Sequence, residues 1–313
     1  YYLVQAEHPQ VHTAEIDFAK GEMVSAPAPI RNPGSGNLSV SPAWSPDGRQ
    51  LAYLVRDQGI LELTIQSLET GEVKTFPLPF RGAEKVAWGS DPRSLVLNAT
   101  LPDGTHGLFR FDLQTSELSL ELSGAEDGVY NLEDTFKRDG RSMVREAGGP
   151  EEGYRIEVLD LETDETRTIL RSETGFPWVW AVSFPGANRY AVWIADNHPD
   201  GDGARGRLLV VNADGTGEKT LWEGRTSSMF MQHMAVTSDG KYILLGRSDL
   251  NNDGSSPTWI VDVASGERRF LKTTSGEEFG GALRHMVMQP NGSRVAFAGG
   301  SSVAEIWLME GIW

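Results

Sequence analysis

The chain has 313 residues with 35 Gly and 16 Pro, a density of turn-formers that excludes a helical bundle. Its 28 Lys and Arg against 44 Asp and Glu leave a formal charge of −16, which argues against non-specific binding to nucleic acid or an anionic membrane. With 0 Cys, disulfides, thiolate metal sites and a Cys nucleophile are excluded. No apolar run reaches the ~18 residues of a membrane-spanning helix, so no direct membrane insertion is expected.

In chain order, YYLVQ (1–5) and AEIDFAKGE (14–22) open a unit over residues 1–30 that has no innermost strand. Residues 38–79 hold a complete unit. A strand ends at Trp44, the turn Ser45-Pro46-Asp47-Gly48 follows, and LAYLV (51–55) leads back. In the next strand Leu61, Leu63 and Ile65 point one way while Glu62, Thr64 and Gln66 point the other. A fourth strand follows Gly71-Glu72. Units at 84–122, 130–171, 178–223 and 227–272 repeat this plan, with turns at GSDPR (89–93), KRDGR (137–141), PGANR (185–189) and TSDGK (237–241). The unit at 280–313 has QPNGS (289–293) and EIWLME (305–310) but no outer strand.

A second mark, a turn of the form Asp-x-x-(Thr/Ser)-Gly-Glu, recurs with its final Glu at 22, 72, 117, 165, 218 and 267. The spacings are 50, 45, 48, 53 and 49 residues. Period-two alternation recurs in Phe109/Phe111/Leu113, Tyr154/Ile156/Val158 and Trp259/Val261/Val263, so the segments are strands rather than helices. Four-stranded units of this length with turns at fixed offsets predict an all-β fold, a β-propeller of antiparallel four-stranded blades in a single domain over 1–313. A β-sandwich would not repeat the same two turns six times in order. Counting the incomplete end units predicts seven blades. The alternative is six, closed by N-terminal strands pairing with the C-terminal sheet.

AWSPDGRQLAYLV followed by SLETGEVKTFPL resembles the TolB-type propeller repeat of bacterial proteins, also met in the propellers of tricorn protease and dipeptidyl-peptidase relatives. The resemblance covers essentially the whole chain and specifies the repeat more strongly than the function. It implies a periplasmic, extracellular or sensor-type module that binds protein or small ligands. Peptidase-linked relatives carry their catalytic machinery in a separate α/β-hydrolase domain. With Tyr1 rather than Met first, the chain reads as a processed or excised piece, any export signal being expected upstream.

No G-x-S-x-G, G-x-G-x-x-G, P-loop or H-E-x-x-H occurs. The loop SDLNNDGS (248–255) sets Asp249, Asn251, Asp253 and Gly254 in D-x-[DN]-x-[DN]-G order. Closely spaced oxygen donors with Gly at the bend suit Ca2+, although Ile260 stands where an EF-hand has its Glu. DNHPDGDG (196–203) places Asp196, Asp200 and Asp202 similarly in the preceding repeat. The alternative for both is a long hairpin turn.

His233 in FMQHMAV and His285 in ALRHMVM hold matching places on innermost strands of successive units. They are expected to approach one another at the central channel, beside Gln232 and Arg284. Such a pair resembles the metal sites of propeller polysaccharide lyases, where a divalent cation acidifies the proton alpha to a uronate carboxylate. A third His is usual there, and only His198 is at hand. The plainer reading is a pair of hydrogen-bonded structural histidines. Trp44 and Trp88 read as core between blades, whereas Trp178 or Trp180 is expected to face a channel or groove and stack on a sugar or peptide. The acidic stretch EDGVYNLED (126–134) reads as a solvated loop.

These features predict a non-catalytic binding or sensor module, the C-terminal propeller of a larger exported bacterial protein. It would recognise a protein, small-molecule or carbohydrate ligand through Trp178, Trp180, Gln232, His233, Arg284 and His285. A metal-dependent polysaccharide lyase or hydrolase at the channel face is one alternative, and a structural assembly component is another.

Overall fold

Runs of Val, Ile, Leu and aromatic residues at period two, cut by Gly-bearing turns, form strands throughout the described residues. The computed structural model describes residues 2–7, 10–30, 38–57, 59–89, 91–123, 142–149, 151, 153–160, 162–172, 178–197, 204–226, 233–246, 258–276, 283–299 and 302–307.

The N-terminal residues form β1 (Tyr2–Glu7), β2 (Gln10–Asp17), β3 (Glu22–Met23) and β4 (Ala28–Pro29). Next come β5 (Leu38–Trp44), β6 (Gln50–Asp57), β7 (Ile60–Ser67) and β8 (Val73–Leu78), then β9 (Gly82–Trp88), β10 (Ser94–Thr100), β11 (His106–Asp112) and β12 (Leu118–Ser123). A third sheet shows three described strands, β13 (Ser142–Gly149), β14 (Gly153–Asp160) and β15 (Thr166–Ser172). The fourth has β16 (Trp178–Ser183), β17 (Arg189–Asn197), β18 (Ala204–Asn212) and β19 (Lys219–Thr226). The fifth has β20 (His233–Val236), β21 (Tyr242–Gly246), β22 (Trp259–Asp262) and β23 (Arg268–Phe270). The chain closes with β24 (Arg284–Met288), β25 (Arg294–Gly299) and β26 (Ser302–Trp307).

Among the described residues every sheet but the two-stranded β1–β26 ladder is a blade, and the blades number six, not seven. The two incomplete end units are halves of one blade, ordered β24-β25-β2-β3 with β4 also on β2. The reason is edge satisfaction. Residues 10–29 lack an inner strand and residues 284–299 lack an outer one, so each half would expose an unpaired ladder edge. Joined, Gln10 to Glu15 pair with Gly299 to Arg294. Ile16 N–H donates to the Ser293 carbonyl at 3.1 Å, and Ser293 Oγ to Glu15 Oε1 at 3.0 Å. Outside this blade, β1 and β26 pair as a two-stranded antiparallel ladder from Glu7↔Ser302 to Tyr2↔Trp307.

Blades pack face to face, which changes the meaning of the alternation. Leu63 and Thr64 point to opposite sides of β7, yet both are 0% exposed. Polar residues on these strands therefore face the next blade rather than water. Hydrogen bonds join the blades at their inner strands. Trp44 Nε1–H donates to the Val287 carbonyl at 3.1 Å and Trp88 Nε1–H to the Ala43 carbonyl at 3.0 Å. Each indole buries its rings and still satisfies its donor, the core role expected of both.

The turns between first and second strands, and between third and fourth, lie on one end of the disc, the turn face. In the first kind, Ser45 Oγ donates to Asp47 Oδ1 at 2.6 Å, and Asp47 accepts the Arg49 N–H at 3.0 Å. Thr237, Asp239 and Lys241 repeat that geometry. In the second kind, Asp112 accepts the N–H groups of Gln114 and Thr115, and Asp262 those of Ala264 and Ser265. The residue four after the Asp is left-handed. It is Gly21 and Gly266 in two of these turns, but Ser116 (φ 59°) and Asp164 (φ 57°) in two others. The opposite end, the loop face, is where the second strands end and the third strands begin.

Candidate functional site

Inner strands β5, β9, β16, β20 and β24 converge on a cavity of about 120 Å3. Pro46 and Pro290, both turn residues, line it and set it toward the turn face. Ala43, Ala87 and Ala235 leave the space open, and Val182, Val287 and Pro290 give it an apolar, part-exposed lining, while Met234, Met286 and Met288 are buried in the cores between blades. Lys85, 8% exposed, is the only charged side chain among the described lining residues.

At the loop-face ends of β20 and β24, the rings of His233 and His285 lie 4.9 Å apart with planes at 47°. The expected approach of the two imidazoles is present. His233 is 2% exposed and His285 half-buried. His285 sits in a bulge: Arg284 pairs with Ala298 and Val287 with Ala296, so two residues share the place opposite Phe297. Its φ is 52°. The equivalent bulge in β5 holds Ser41 at φ 55°, between the pairs Val40↔Leu54 and Ala43↔Ala52. There Ser41 Oγ accepts the Val86 N–H at 3.0 Å, tying β5 to the next blade. The bulge is thus part of the blade-joining architecture, and in β24 it carries an imidazole instead of a hydroxyl.

Of the other expected site residues, Trp180 alone has a described side chain. Trp180, 6% exposed, packs with Trp193 and Leu208 in the core shared by the fourth and fifth blades. Trp178 opens β16 opposite Ala195, Arg284 opens β24 opposite Ala298 and Asp196 pairs with Arg205, all three side chains lying outside the described residues. Gln232, His198, Asp200, Asp202, Asp249, Asn251, Asp253 and the stretch 126–134 also lie outside them. Among the described residues no group of three or more His, Asp or Glu is placed to hold a metal. Two features had no sequence signal: Lys85 in the cavity, and a stack of Trp222, Arg268 and Trp259 between the fourth and fifth blades. Both depend on register and on which blade faces which.

No family model matches the chain. Over 111 residues it is 32% identical to the uncharacterized peptidase YuxL of Bacillus subtilis (strain 168), a stretch that is 35% of this chain and 16% of that protein. The chain therefore spans a small part of that relative. In fold it is similar to a putative TolB from Agrobacterium tumefaciens, with a TM-score of 0.61 and 14% identity, covering 94% of this chain and 99% of the other. TolB from Acinetobacter baumannii follows with a TM-score of 0.58 and 16% identity, covering 86% and 65%. An oligogalacturonate lyase in complex with manganese has a TM-score of 0.53 and 16% identity, covering 94% and 77%. The fold is that of TolB-type β-propellers, as the repeat motif implied.

Proposed function

We propose that this propeller is a non-catalytic binding module whose channel cavity takes an apolar segment of a partner protein. The observation that carries the reading is the cavity itself, lined by Ala, Val and Pro at the meeting of five inner strands. A small, mostly apolar concavity of this kind accepts an apolar side chain more readily than a charged one. The TolB-like fold supports a recognition role. The acidic, cysteine-free composition suits an exported protein, and no helix among the described residues is long and apolar enough to cross a membrane.

The test is peptide display panned against the wild type and against Ala87→Trp, which fills the cavity. Val287→Glu, at a part-exposed lining position, serves if the larger residue disturbs folding. Apolar peptides that bind the wild type and lose at least about tenfold on the filled variant are expected, since the indole occupies their place. Equal recovery on both proteins overturns the reading.

A second reading rests on the 4.9 Å approach of His233 and His285. A catalytic divalent metal normally takes three protein ligands, and the described residues supply two, so no step is drawn through it. Elemental analysis after dialysis against metal-free buffer decides it. A stoichiometric transition metal that disappears in His233→Ala promotes the lyase reading, and its absence rejects it. Stoichiometric calcium lost in Asp253→Ala supports instead a structural clip at Asp249, Asn251 and Asp253.

A further inference from the structure

Between the fourth and fifth blades, five flat groups form one stack. Trp193 lies against Trp222 (centroids 5.5 Å, planes at 6°), the Arg268 guanidinium sits 4.6 Å from Trp222 and 4.8 Å from Trp259, and Phe270 lies 3.8 Å from Trp259. Strand register explains the second half. Trp259 pairs with Phe270 and Val261 with Arg268, so these side chains share one face of the β22–β23 ladder. Glycines clear the first half. A Cβ on Gly206 would collide with the Trp193 ring, and one on Gly224 would come within 2.9 Å of Trp222.

Every flat face along the inside of this stack is used internally, so a sugar ring has no surface to lie on. The edges are different. Arg268 is exposed, and it has no hydrogen-bond or ion-pair partner among the described residues. The indole N–H groups of Trp222 and Trp259 likewise have no acceptor there, and neither is buried. Guanidinium and indole are donors only, so three neighbouring groups offer hydrogens and none accepts one. The carboxylates in and just before β19 are already committed, Glu223 to Arg205 and Glu218 to Arg207 at 3.6 Å. Burial against the rings pushes the Arg268 pKa down, with no carboxylate acting in the other direction. An uncompensated guanidinium stands out on a chain whose formal charge is −16.

We propose that the edge of the Trp222–Arg268–Trp259 stack is a second recognition site that binds a carboxylate side chain of an acidic segment in a partner protein. The two indoles hold the guanidinium plane fixed, so its paired N–H edge is presented for bidentate contact without the rotamer entropy a free arginine would lose. The aromatic edges add N–H donors at the rim of the same site. The site is separate from the channel cavity, and it stands or falls without the reading given to that cavity.

The probe is a fluorescent hexaglutamate peptide, measured by anisotropy against a hexaglutamine control, with indole N–H resonances followed in parallel. The wild type is expected to bind the acidic peptide, more weakly as salt rises, and to shift the resonances of Trp222 and Trp259. Arg268→Gln should lose about tenfold or more, as expected for charge-assisted hydrogen bonds, while Arg268→Lys should lose less. Trp259→Phe keeps a ring over the guanidinium, removes one donor and guards against a folding defect in the arginine variants. Wild-type affinity in Arg268→Gln, binding of the glutamine control, or no binding up to millimolar peptide would each overturn the site. Glucuronate competing as tightly per carboxylate as the peptide would overturn the assignment to a protein segment.

Discussion

The two faces of the propeller use the same backbone tricks for different ends. On the turn face, left-handed residues such as Gly48, Ser116 and Gly266 close short turns whose aspartates bond their own backbone. Toward the channel, the left-handed residues Ser41 and His285 sit in bulges that aim side chains at neighbouring blades. A similar φ closes a local loop in one place and joins distant segments in the other. Local devices repeat along the chain, while joining devices depend on what stands opposite.

The sharpest challenge to this picture is to remove a joining residue. Trp88→Ala should destabilise by about 3–5 kcal/mol in denaturant unfolding, through the lost burial and cavity of a side chain only 4% exposed. A cost near that of a surface substitution would mean that the blades are held elsewhere. Next is the contrast between the two kinds of left-handed serine. Ser41→Gly should destabilise by about 1–3 kcal/mol, because relief of backbone strain is outweighed by the orphaned, buried Val86 N–H. Ser116→Gly should do the opposite, raising stability by about 0.5–1 kcal/mol, and Asp164→Gly should follow it. Effects of the same sign at Ser41 and Ser116 would erase the distinction.

The smallest effect is on pH dependence. Ser45 Oγ and the Arg49 N–H hold the Asp47 carboxyl below its ordinary value of 3.8. The Thr115 and Gln114 N–H groups do the same for Asp112. A depressed folded-state pKa means that the stabilisation is complete above the ordinary value and fades as pH falls below it. Melting temperature should therefore drop below about pH 4, and Asp47→Asn with Asp112→Asn should flatten that acid limb. These carboxylates are largely exposed, so the change is expected to be slight.

Most of the turn face was legible in the sequence. Asp47, Asp112 and Asp262 announce their turns because each aspartate bonds residues two or three positions away. The meeting of His233 and His285 was legible for a related reason: equal positions in adjacent repeats occupy equal positions in space. That Trp180 is buried in the core was not legible, because a strand pattern of Trp-Val-Trp reveals alternation but not which neighbour covers each side. Blade number was missed because two half-units at opposite ends of the chain read alike whether separate or joined.

Length, turn spacing and alternation by themselves determined that this chain folds as radial four-stranded units, since those signals are encoded within a few residues of one another. Only the tertiary structure decided that the ends share a blade, that polar strand faces are buried, and that Trp222, Arg268 and Trp259 form one stack. Those outcomes depend on edges and faces supplied by strands tens to hundreds of residues away, and a repeat motif carries no record of which partner will fill them.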